Sequence, residues 1–108
     1  TGVQTCALPI STVSSKDDAI QLMDQLLKES LIACGQVNGP VTSSYKWKGR
    51  TVSEKEWQVT VKFNKHNERT VQKRILELHP YDTPEWVYVK AGSYAEYSNW
   101  VNDCSPKM

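Results

Sequence analysis

Residues 76–86 read LELHPYDTPEW, and within eleven positions they gather one of the two histidines, two prolines, two aromatics and three carboxylates. An imidazole among carboxylates is the raw material of a divalent-metal site or an acid–base pair. The same letters also describe a rigid turn. Pro80 stops a preceding helix, Pro84 fixes the backbone ahead of the next segment, Asp82 caps the turn, and Tyr81 offers an apolar ring with a hydroxyl handle. The two readings meet at His79, which either orients the turn or makes a weak metal contact. His66, in the polar run NKHNER, reads as a solvated residue at a helix start.

The cysteines offer less. Cys6, Cys34 and Cys104 are odd in number and lack CxxC spacing, which argues against a disulfide framework or structural zinc and for a reducing, cytoplasmic location. Cys34 lies on an alternating segment beside Ile32 and reads as core packing, with metal ligation as the alternative. Cys104 belongs to a polar tail. No cysteine stands close to a histidine in sequence and no glycine-rich phosphate loop is present, so no enzymatic activity is expected.

The chain that must position these groups has 108 residues, 39% of them hydrophobic, enough for one modest core. Its net charge of +1 predicts neither a nucleic-acid partner nor a membrane surface. The charge is unevenly spread: residues 46–74 hold nine Lys/Arg against three Glu, while the segments before and after are acidic. No run approaches the ~20 apolar residues of a membrane span.

Hydrophobic periodicity orders the elements. Ala19, Met23, Leu26, Leu27 and Ser30 form one stripe of a helix over 16–30, capped by Ser14 or Ser15. From Leu31 the period drops to two, through Ile32, Cys34 and Gln36 and then Val41, Ser43, Tyr45 and Trp47. Gly39 and Pro40 predict a bulge between them, and WKGR a turn. Trp57, Val59, Val61 and Phe63 alternate in the returning strand. Val71, Ile75 and Leu78 restore helical spacing, EWVYVK reads as a strand, and Tyr94, Tyr97, Trp100 and Val101 mark one stripe of a closing helix. The order is that of an α+β, ferredoxin-like β-α-β-β-α-β sandwich with a long hairpin and a C-terminal helix. At roughly ten residues per strand, about 33 Å, the hairpin outruns its flanking helices. Tyr45, Trp47 and Trp57, placed near its tip, are expected to form an interface between copies of the chain.

The blocks LIACGQV, VTSSYKWKGR, SEKEWQVTVKF, ELHPYDTPEW and YSNWVND resemble the CutA divalent-cation tolerance family over about residues 12–103. The resemblance implies a ferredoxin-like fold, a homotrimer assembled through the long hairpin, and a role in tolerance of divalent metals, with copper as the ion bound. The ligands proposed in bacterial members are a cysteine ending the first strand and two adjacent histidines before a Pro-Tyr pair. Those positions here are Ser11, Leu78 and His79, so only His79 carries over, and the expected copper binding is weak. Cys34, Glu77 and Asp82 are the possible substitutes. The alternative is a PII-like trimeric sensor of a small molecule, which shares the subunit architecture; stacking of nucleic acid on the sheet is a third reading without an RNP-like pattern. The opening TGVQTCALPI has a proline inside the expected first strand and reads as a non-native extension over 1–10 ahead of a single domain over 11–104, with ALPISTV as a substitute strand.

Overall fold

The computed structural model describes residues 4–7 and 10–107. In chain order the elements are strands β1 (Gln4–Ala7) and β2 (Ile10–Val13), helix α1 (Lys16–Lys28), strands β3 (Cys34–Trp47) and β4 (Arg50–Asn64), a 3-10 turn (Lys65–Asn67), helix α2 (Glu68–Leu78), strand β5 (Lys90–Ser93) and helix α3 (Ala95–Cys104). β4 is the spine of an antiparallel sheet. β3 pairs along one of its edges, β2 and then β1 along the other, and β5 adds to β1. Since β1 and β2 follow one another along the same edge, they fill the place of one ferredoxin-like first strand. Gln4–Ala7 lies within the sheet, between β4 and β5; residues 1–10 were read as a non-native extension, with ALPISTV as the substitute strand. Of that expected extension, residues 1–3, 8 and 9 lie outside the described residues.

The core follows the alternation read from β4. Val59, Val61 and Phe63 are buried against Ala19, Leu22 and Leu26 of α1 and Val71 and Ile75 of α2, with Val13, Leu31 and Ile32 beside them. Fully burying each large member contributes about 1.5–3 kcal/mol. α1 begins at Ser15, whose hydroxyl accepts from the Asp18 amide at 3.0 Å, while Asp17 and Asp18 face the positive helix end. Its buried stripe is rotated from the expected one: Leu22 is inside, and Leu27 is 39% exposed.

The hairpin is longer than expected, with 14 residues in β3 and 15 in β4. Its two-residue turn has both Lys48 (φ 52°) and Gly49 (φ 77°) in the left-handed region, the turn whose twist suits paired strands. The expected bulge lies between Asn38 and Val41, around a cis Gly39–Pro40 bond. A Cβ on Gly39 would meet the Trp57 ring at 2.7 Å, so glycine lets that indole lie across the strand.

Two elements differ from the sequence reading. Among residues 85–90 only Lys90 joins a strand, apart from a bridge at Val87, and the pairing with β1 falls on KAGS instead. Those residues favour strands poorly, and the register imposed by β1 prevails over local preference. α3 turns Ser98 and Val101 inward and leaves Tyr94 and Trp100 exposed. The small Ser98 permits close packing on the sheet. The tail is tied down by buried polar groups: the Asn67 amide donates to the Ser105 and Pro106 carbonyls at 3.1 and 2.9 Å.

Candidate functional site

Residues directly opposite each other in a sheet share a face. With Val59, Val61 and Phe63 turned to the helices, Glu54, Glu56 and Gln58 of β4 point to the other face, together with Ser43 and Tyr45 of β3. The turn after α2 supplies a second wall on that face, and the two enclose a cleft of about 760 Å³. Among its lining residues are four carboxylates, Glu54, Glu56, Asp82 and Glu85, three aromatics, Tyr45, Trp47 and Tyr81, and no Lys or Arg. Such a lining focuses negative potential into a concave space.

His79 and Thr12 fasten the second wall to the sheet. The His79 ring is 7% exposed. Its Nδ1 accepts from the Tyr81 amide at 3.1 Å, which leaves Nε2 to carry the proton and donate to the Thr12 carbonyl at 2.9 Å. This hydrogen-bond pattern specifies one neutral tautomer. Burial lowers the His79 pKa from its ordinary value, against the opposing pull of the Thr12 carbonyl and Glu56. The Thr12 hydroxyl donates to Glu85 at 3.3 Å, so one residue of β2 holds the turn from both sides.

The carboxylates are themselves held. Tyr81 donates to Glu56 at 2.8 Å and Glu56 is 6% exposed; burial and that acceptor push the Tyr81 phenol well above its usual range. Tyr45 donates to Glu54 at 2.6 Å, which likewise raises the Tyr45 phenol.

The residues singled out from sequence are distributed differently. Tyr45 and Trp47 line the cleft, and they are 38% and 52% exposed. Trp57 does not join them at the tip. It pairs with Val13 and packs half-buried against the core on the opposite face. Cys34 is not a core residue either. It stands opposite Lys62, on the face away from α1 and α2, with its Sγ 3.9 Å from the Tyr97 hydroxyl of α3. Ser11 is buried and its Oγ has no hydrogen-bond partner, while Leu78 packs against the core.

A copper site does not fit these residues. Both His79 nitrogens are committed to backbone partners, Leu78 has no donor atom, and the half-buried Cys34 thiol faces the Tyr97 hydroxyl of α3. Among the described residues no three His, Cys, Asp or Glu side chains converge to hold a metal ion. Sequence reasoning missed Glu54, Glu56 and Thr12. The two glutamates were readable, since even positions of β4 must face away from a core built on odd ones. Thr12 acts through its carbonyl, which no residue type announces.

The family model of the CutA1 divalent ion tolerance protein matches residues 7–104. The chain belongs to this family. It is 33% identical over 97 residues to the divalent-cation tolerance protein CutA of Thermotoga maritima, covering 89% of this chain and 95% of that protein. The crystal structure of the divalent ion tolerance protein CutA1 from Ehrlichia chaffeensis superposes with a TM-score of 0.89 at 28% identity, covering 93% and 94% of the two chains. CutA1 from Oryza sativa shares the fold at a TM-score of 0.92 and 20% identity, over 100% of both chains. No helix among the described residues is long and apolar enough to cross a membrane.

Proposed function

We propose that this CutA-family chain serves divalent-cation tolerance as a non-catalytic, cytoplasmic homotrimer that takes up divalent cations weakly at the acidic cleft. The observation that carries this reading is the cleft lining, with four carboxylates and no Lys or Arg. Carboxylate and hydroxyl oxygens suit hard divalent ions better than copper, which favours imidazole and thiolate. Weak binding follows from the lack of three converging donors among the described residues, and roughly 10⁻⁴–10⁻³ M is the range of the weakest oxygen-ligand calcium sites. His79 is a positioning residue: it holds the Tyr81 wall in place and gives no lone pair to a metal.

Assembly is supported by the distal hairpin, which leaves Tyr45 and Trp47 in water. The same lining opposes the PII-like alternative, because a phosphate would meet only like charge there.

Isothermal titration with Mn²⁺ and Cu²⁺ tests the proposal. Mn²⁺ uptake is expected to be weak, to vanish in the Glu54→Gln/Asp82→Asn double variant and to persist in folded His79→Gln. Nanomolar Cu²⁺ binding abolished by His79→Gln would restore the imidazole site and overturn this reading.

A further inference from the structure

The net charge of +1 hides a local excess of positive charge on the helix side of the sheet, away from the cleft. The apolar stripe of α2 is spent on the core through Val71 and Ile75, which turns Arg69 and Lys73 outward. Lys65 of the preceding 3-10 turn continues their line, and all three are exposed. The Asn67 amide holds the Ser105 and Pro106 carbonyls, which brings the exposed Lys107 to the start of that line. Among the described residues these four cations enter no salt bridge, the ion pair present being Arg74–Glu29. Of the acids on the helix, Glu68 accepts from the Tyr88 hydroxyl at 3.0 Å, and Glu77 stands in the last turn.

We propose that this basic face of α2 binds the phosphate backbone of nucleic acid without reading base sequence. Residues four apart on a helix face are about 5–6 Å apart, so the line from Lys65 to Lys73 runs roughly 12 Å. One strand of a duplex carries a charge every ~3.4 Å, which matches the line to about three or four phosphates. α2 contains no aromatic side chain on which a base could stack, and contacts from Lys and Arg to phosphate carry no sequence information. A membrane surface suits the face less well. A helix lying on lipid turns its apolar stripe outward, whereas that of α2 is buried and leaves Leu76 alone at the surface. The acidic cleft opens on the other face of the sheet, so the two potentials orient the chain with α2 towards a polyanion.

Fluorescence anisotropy of the full chain with a labelled DNA duplex of arbitrary sequence tests this, in EDTA so that no divalent cation bridges the duplex to the cleft. Binding is expected at about 50 mM NaCl and should fall steeply towards 200 mM, with log K against log[NaCl] sloping by about −3. A duplex of unrelated sequence should bind within about twofold. R69E/K73E should weaken binding about tenfold or more, and K73Q should reduce the slope by about 1. K46Q/K48Q/R50Q, which neutralises cations elsewhere on the chain, should stay within about twofold of wild type. Circular dichroism reports that each variant is folded. No binding at about 50 mM NaCl, or binding that folded R69E/K73E retains in full, overturns the proposal. So does binding lost in K46Q/K48Q/R50Q instead, or a wild-type chain that ignores the duplex and sediments with phosphatidylserine vesicles.

Discussion

β4 passes through two environments. Between Val59 and Phe63 every second side chain is buried beneath α1 and α2. Between Arg50 and Lys55 the same strand, in an equally regular ladder, buries none. Polar side-chain contacts link the two strands there: the hydroxyls of Ser44 and Ser53 lie 2.7 Å apart, and Tyr45 reaches diagonally to Glu54. One strand therefore does two jobs. The covered half holds the subunit together, and the uncovered half presents surface. Backbone pairing alone does not make a core; burial requires a second layer.

The comparison can be broken most forcefully at the covered end. Phe63, fully buried, should cost about 3–5 kcal/mol when changed to Ala, measured by denaturant unfolding, whereas Tyr45→Phe in the distal arm should leave subunit stability unaltered. Similar losses at both positions would erase the distinction.

Acid sharpens it at the junction of the two regions. His79 is neutral in the fold and its pKa is lowered from 6.5, so the unfolded chain binds the proton first. The contribution of His79 is complete above pH ~6.5 and is lost as pH falls through that value towards the lower folded pKa. Protonation also places a hydrogen on Nδ1, where the Tyr81 amide already donates. The turn should loosen before the core does, seen as faster amide exchange at Tyr81 than at Val61. Exchange at Tyr81 that is insensitive to pH, once intrinsic rates are corrected, would contradict this.

The smallest expected effect is at Ser11. Its buried Oγ lacks a partner, and removing an unpaired polar atom is neutral or favourable. Ser11→Ala should hold or raise stability by up to ~1 kcal/mol. A clear loss would reveal a bond that the packing does not display.

The parts of the molecule legible in sequence were those with local cause. Val59, Val61 and Phe63 announced their face by alternation, the Ser14–Ser15 pair a helix cap, and Lys48 and Gly49 their turn. The strand at Lys90–Ser93 was not legible, because its register is set by β1, far away in sequence. The cleft was half legible: Tyr45 and Trp47 were chosen as exposed aromatics, but the wall opposite them depends on His79 meeting the Thr12 carbonyl, a contact spanning 67 residues. Trp57 was misplaced at the tip for a related reason. Its aromatic type suggests a surface anchor, but its odd position on β4 places it with the core.

Trp47 and Trp57 supply the most direct test of the claim that the distal arm serves assembly and the covered end serves folding. Light scattering and thermal unfolding should be measured together for wild type, Trp47→Ser and Trp57→Ser at micromolar concentration. The wild-type mass should be about three times the 12.3 kDa chain. Trp47→Ser should lower that mass while the dissociated chain unfolds like a dissociated wild-type subunit, and Trp57→Ser should destabilise the subunit itself. A folded wild-type monomer that persists at every concentration, or a Trp47→Ser chain that still scatters with the full trimer mass, would contradict the account.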